Sequence, residues 1–375
     1  MCLPVIATAT YSAGGARAWA ATLHVPAQFS TPSEALAQAS AGDTVRVAPG
    51  RYLGTLQVPD GVAMIAGAGP DSTVLDGDGD GPVVLFEECD LGTLLDGFTI
   101  TGGLRRGARE HGAGILCRQH AAPRINHNRV VGNRALGRAA GGGGIALIDG
   151  SDAVLSNNEI LDNEAARGGG IWVGKEHGWT SSPVISGNRI LANRARLAGG
   201  GLSITHGSEP LVTGNVIARN VVTGTVGEGA EGGGGLHIAR GQAIIQENTI
   251  WANADSAGIA SAICLVDYAA PSIDRNIVAG HRGAPAILCV EQLIERQVLR
   301  CNDVWNPEGI DFAPGCRVYP TNIAADPNFC DAVAGDFGLR PSSPCLGHEA
   351  CGRIGAEGIG CGEPAAADPQ RHMPR

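Results

Sequence analysis

The sequence predicts an all-β solenoid, a parallel β-helix of short stacked strands, and three observations predict it. Asn residues recur in pairs five apart, at Asn128/Asn133, Asn158/Asn163, Asn188/Asn193, Asn215/Asn220 and Asn248/Asn253, and the first members repeat at 30, 30, 27 and 33 residues. A glycine cluster followed by apolar-x-apolar keeps the same period, leading into Ile115, Ile145, Ile171, Leu202 and Leu236, with a weaker copy before Ile263. Triplets such as Ile171-Trp172-Val173 alternate with period two, which is the strand signature. Self-similarity at a fixed period of a few tens of residues marks a repeat architecture. Three such triplets per repeat describe one rung, with each strand pairing to its copies about 4.8 Å above and below.

Length and composition agree with this reading. The chain has 375 residues, beyond the roughly 250–300 that one globular core accommodates, whereas a solenoid core grows along its axis. Apolar residues make up 43% of the chain, too many for disorder, and the 57 glycines follow no triplet, which excludes collagen. No run of eighteen apolar residues occurs, so membrane insertion is not expected. The net charge of −10 gives no overall attraction to nucleic acid. Lys175 is the only lysine.

The elements follow in order. Residues 1–20 are mostly small and apolar and end in Ala18-Trp19-Ala20, the pattern of a signal peptide, although no basic residue precedes the apolar run. The β-helix is assigned to residues 21–302, with about nine or ten rungs. Near its start, Thr31-Pro32-Ser33-Glu34 is a capping box with proline at the first helical position. It opens a short helix that caps the first rung, where an open edge would invite aggregation. Strand signals follow at residues 45–47, 56–58, 64–65, 74–75, 83–86 and 98–100. Through the repeats, the Asn side chains are expected to stack as a ladder that satisfies backbone groups left open at the turn. Asn276 and Asn302 continue the series more loosely. Residues 303–361, rich in Pro, Gly and Cys, read as a disulfide-tied cap, and residues 362–375 as a disordered tail.

Cysteine usage points to an oxidising compartment. Of eleven cysteines, Cys2 lies in the leader-like segment, which leaves an even ten, and no C-x-x-C pair occurs. Seven crowd the last quarter of the chain. Cys289 carries two alternatives. If 288–290 is the strand triplet, Cys289 stacks on Cys264 within disulfide reach; if the triplet is 287–289, it points inward and that pair fails.

The Gly-Gly-Ile and Asn-x-[Ile/Val] repeats resemble the right-handed parallel β-helix proteins of the pectin-lyase-like superfamily. The start, Leu23-His24-Val25-Pro26, then Gly42-Asp43-Thr44-Val45 and Ala48-Pro49-Gly50-Arg51-Tyr52, resembles the mature start of secreted bacterial members. So does the end, with Ala325 to Cys330, Gly335-Asp336-Phe337, Ser343-Pro344-Cys345 and Gly352 to Cys361. The resemblance covers about residues 23–361 and implies a right-handed coil in a secreted or cell-surface protein, extracellular or periplasmic. That superfamily includes lyases, hydrolases, esterases, epimerases and tailspikes, so the resemblance specifies a fold and not a reaction. The pectate-lyase Arg-x-Pro-x-x-Arg, the polygalacturonase Gly-His-Gly set and the esterase Gln-Asp-Thr-Leu are all absent.

The resemblance also implies a substrate groove along the Gly-Gly-Ile strands, whose middle residues point outward. That column reads Leu116, Ala146, Trp172, Ser203, His237, Cys264. The flanking loops add Lys175, His177, Trp179, His206, Glu209 and Arg240 on one side, and Arg138, Arg167, Arg196, Glu228 and Glu231 on the other. The function expected is interaction with an extracellular polysaccharide, with an acidic glycan as partner and uronate elimination as the reaction. Trp172, His177, Trp179, Arg196, His206 and Glu209 are the expected substrate contacts, since sugar faces stack on aromatic rings and guanidinium groups hold carboxylates. Lys175, His237 and Arg240 are the expected catalytic set, with Lys175 or His237 as base. Hydrolysis ranks lower: Glu176 and Glu209 sit on neighbouring rungs, but the outward column holds no acid. The alternative is a non-catalytic surface scaffold. Asp76, Asp78 and Asp80, followed by Glu87, match a calcium-loop spacing. A strand over 83–86 would carry Glu87 too far away to close that site, which leaves either an acidic glycine turn or weak calcium binding by the three aspartates alone.

Overall fold

The computed structural model describes residues 20–290 and 297–362. The expected leader, apart from Ala20, and the tail beyond Gly362 lie outside the described residues. The chain is a parallel β-solenoid with three long faces. Sheet I stacks eleven strands from Thr22–Val25 to Val298–Arg300, sheet II ten from Gly50–Leu53 to Asp303–Trp305, and sheet III nine from Leu56–Gln57 to Ile287–Cys289. The count of turns therefore differs slightly with the face chosen, against the nine or ten expected. A fourth face was not foreseen. Sheet IV stacks six short strands, from Leu104–Arg105 to Ala254–Asp255, between sheets II and III. Five of its six strands begin directly after the second Asn of a pair, and they are as short as two residues, below what periodicity can register.

The inner columns explain why these residues stack. Ile125, Leu155, Ile185, Val212 and Ile245 pair in register in sheet I, and Val130, Ile160, Ile190, Ile217 and Ile250 do so in sheet II. All ten are fully buried. Branched side chains suit a pleated strand, and a one-residue slip would turn the whole column outward.

Two Asn ladders run along the stack rather than one. In the first, the Asn158 Oδ1 accepts the Asn128 N–H at 2.9 Å, the Asn188 Oδ1 accepts the Asn158 N–H at 2.9 Å, and the series continues through Asn215, Asn248, Asn276 and Asn302 to Asn322. The second runs from Asn133 through Asn163, Asn193 and Asn220 to Asn253. Each amide also donates to a strand carbonyl of the previous turn, as Asn188 Nδ2 does to Leu155 O at 3.0 Å. The corner before a ladder Asn is left-handed, with φ of +55° at Asn157 and +54° at Ala192. His281 takes the place after Asn253, five residues beyond Asn276, and faces the carbonyls of Ile250 and Asn253 at 3.2 Å each.

Both ends are closed. The helix Pro32–Leu36 forms as expected, with the Thr31 hydroxyl accepting the Glu34 N–H at 3.2 Å. The Glu34 carboxylate reaches back to Ser30 N–H instead of to the cap residue itself. At the other end the cap carries three disulfides, Cys289–Cys316, Cys301–Cys351 and Cys330–Cys361. Cys289 thus points inward from a 287–289 strand, opposite Leu265, and the pair with Cys264 does not form. Cys89, Cys117, Cys264 and Cys345 remain buried thiols, so the even count overstated the pairing. The cap folds back over sheet II, where Phe337 packs on Val216 and Ala218 and meets the Trp251 ring edge-on at 5.6 Å.

Candidate functional site

The outward column of sheet III forms as the sequence predicts. Leu116, Ala146, Trp172, Ser203, His237 and Cys264 pair in register on successive turns. Above it lies an open cavity of about 480 Å³, whose lining includes His111, Trp172, Lys175, Thr205, His206 and Arg240. Its walls are the loops that leave sheet III on one side and those that enter it on the other. Arg109, Arg167 and Glu231 belong to the entering side, and Glu176 and Asp267 to the leaving side.

Trp172 corrects one expectation. It is 5% exposed and offers no open face to a sugar. The His111 ring lies over it at 4.3 Å and 30°, and a side chain at Gly141 would collide with its indole. Trp172 is therefore a floor. The exposed ring is Trp179, 65% exposed, which meets His120 edge-on at 5.3 Å outside the cavity. The cover over Trp172 comes from two turns earlier, so its own repeat carries no signal of it.

A hydrogen-bonded chain fixes the proton on His206. Trp172 Nε1 donates to Thr205 Oγ1 at 3.1 Å, and the Thr205 hydroxyl in turn faces the Val173 carbonyl at 3.4 Å. His206 Nδ1 stands 2.8 Å from the same Oγ1. The arrangement that satisfies every group has Nδ1–H donating to Thr205, which leaves the Nε2 lone pair free. Burial lowers the His206 pKa, with Lys175, Arg240 and Arg167 adding positive charge, so the ring is neutral near pH 7. His111 is pushed down to about 4, chiefly by burial, and its Nδ1 accepts the Gly141 N–H at 2.8 Å. Thr205 and His111 were not singled out from sequence; neither lies on the outward column.

The charged groups fall into two kinds. Arg167 pairs with Glu231, and Arg240 Nη2 lies 3.4 Å from Asp267. Among the described residues Arg109 and Lys175 have no ion-pair partner. The loop carrying Lys175 is pinned by Asp149, whose Oδ1 accepts the Glu176 and His177 N–H groups at 2.7 and 2.8 Å.

The remaining candidates separate. His237 stands on the predicted column but is fully buried, with its pKa lowered to about 4 by burial. Its Nε2 faces Glu231 Oε2 at 3.4 Å, which takes it out of solvent as a base. His177, Glu209 and Arg196 lie outside the cavity lining, and Arg196 donates to the Arg138 carbonyl at 2.8 Å. Asp76 pairs with Arg51 and accepts the Asp78 N–H at 2.9 Å, while Asp80 accepts the Gly81 N–H at 2.7 Å. Glu87 turns away to Arg118. Among the described residues no three His, Cys, Asp or Glu side chains converge as metal ligands.

A family model described as "Right handed beta helix region" matches residues 71–250. The fold of this chain is a right-handed parallel β-helix. A solved structure, the crystal structure of pectate lyase Pel9A, superposes with a TM-score of 0.55 at 12% identity, over 87% of this chain and 90% of that one. At that identity the likeness is one of fold. No curated protein matches the chain in sequence.

Proposed function

We propose that this β-helix protein binds an acidic polysaccharide in the sheet III cavity and cleaves it by β-elimination. One observation carries the reading: two cations with no ion-pair partner among the described residues, Arg109 and Lys175, line one cavity with a neutral histidine on a chain whose net charge is −10. A uronate carboxylate set on these cations loses the charge that opposes removal of the neighbouring C5 proton. His206 Nε2 takes that proton, the C4–O bond breaks, a C4=C5 double bond forms, and the departing oxygen takes a proton from Lys175 or solvent. His206 replaces His237 as base because it stands at the surface of the cavity with its lone pair free. Trp179 adds an exposed ring for a sugar further along the groove. The pectate lyase fold and the disulfide-tied cap support an extracellular or periplasmic setting.

The test is ultraviolet absorbance of unsaturated product after incubation with polygalacturonate, alginate and glucuronate-containing polymers. His206→Ala and Lys175→Ala should each lower the rate by about a hundredfold or more without moving the melting temperature. A flat trace across the panel removes elimination and leaves a scaffold role.

A further inference from the structure

Glu231 holds a place that its chemistry shares with a ligand. Its two carboxylate oxygens do different things: Oε1 pairs with Arg167 Nη2, and Oε2 faces His237 Nε2 at 3.4 Å. His237 is fully buried, and its Nε2 has no hydrogen-bond partner of good geometry. Its other nitrogen, Nδ1, stands 3.4 Å from Ser203 Oγ, the preceding residue of the outward column. A Ser203 hydroxyl donating to Nδ1 leaves the neutral ring with its proton on Nε2, the nitrogen on the Glu231 side. Arg167, His237 and Ser203 thus form a socket with one cation, one buried N–H donor and a hydroxyl behind it. That set suits a single carboxylate.

The backbone of Glu231 is fixed independently of its side chain. Its N–H donates to Leu197 O at 2.7 Å, and its carbonyl accepts from Cys264 Sγ at 3.1 Å. Only a side-chain rotation is needed to empty the socket, and the side chain is 37% exposed, with room to turn. The space it leaves has the size of the group that left.

We propose that Arg167, His237 and Ser203 are a carboxylate subsite for a uronate residue, which the protein's own Glu231 occupies until ligand displaces it. The inference rests on the acidic-polysaccharide reading and extends it to a second, covered position beside the exposed cations. Self-occupancy lowers apparent affinity by the fraction of time the socket is filled. It also keeps the buried His237 N–H facing an acceptor in the absence of ligand.

The test is calorimetric titration of sodium glucuronate, with its methyl ester as the uncharged control. Glu231→Gln should bind glucuronate at least about tenfold more tightly than wild type, which corresponds to a socket filled nine-tenths of the time. The methyl ester should show no gain. Adding Arg167→Met to Glu231→Gln should abolish the gain, with thermal melting confirming that each variant is folded. The His237 side-chain NMR resonances should shift with glucuronate in Glu231→Gln. Equal affinity in wild type and Glu231→Gln, or a His237 signal indifferent to glucuronate, overturns the subsite. Polymer cleavage without an affinity gain would sink the subsite and keep the elimination reading. A gain without polymer cleavage would do the reverse.

Discussion

The middle of the solenoid and its C-terminal end solve one problem by different means. From Asn128 to Asn276, every turn is joined to the next by strand pairing and by Asn amides that bond along the axis. Among the described residues no disulfide lies there. Past Asn302 the first ladder shortens its step to reach Asn322, and the second continues through His281 to Asn306. In that region three disulfides close spans of 27, 50 and 31 residues. Where repetition supplies a partner for each buried amide, covalent ties are unnecessary. Where the repeat fades, the chain is stapled.

Reduction should break this contrast most visibly. Each disulfide closes a span worth about 3–4 kcal/mol of unfolded-state entropy. Reductant should therefore detach the cap, and limited proteolysis should cut within 303–361 while the rungs stay resistant. Simultaneous loss of both regions would show that they melt as one unit. Next in size is Asn188→Ala. It deletes the acceptor of Asn158 N–H and the donor to Leu155 O, both buried, and should cost roughly 3 kcal/mol in urea unfolding.

Acid sharpens the comparison at the junction. His111, His237 and His281 are each pushed down to about 4, from an ordinary 6.5, with burial the largest cause. The unfolded chain takes up protons first as pH falls. Stability is therefore complete above about pH 6.5 and declines toward pH 4. His281→Asn gives the ladder its own residue and should flatten that decline, read as melting temperature at pH 7 and pH 4.5. An unchanged slope would remove His281 from the account. Smallest is Ala192→Gly. Ala192 sits at φ +54°, a conformation costing non-glycine residues about 1 kcal/mol, so glycine should raise stability by several tenths of a kcal/mol.

The sequence made the frame legible because the frame repeats. Asn pairs gave the register, and the glycine clusters located sheet III and its outward column. What stayed hidden does not repeat. Glu231 covers His237 from a loop in the one repeat whose Asn spacing reaches 33, and that length was the only trace of the cover. His111 shields Trp172 across turns, and the cap's return over sheet II joins residues such as Arg189 and Gly335, which hydrogen-bond at 2.8 Å. The cavity was legible in part: Lys175, His206 and Arg240 line it, but Thr205, which orients His206, left no pattern to read.

The ladders have a mechanical consequence. Their bonds, like the strand pairing, run along the axis, so tension applied to the two ends loads every turn in series. Such a spring yields first at its weaker terminal coil. With the staples gathered at one end and a five-residue helix at the other, the coil should unwind from its N-terminal turns, one rung per force peak.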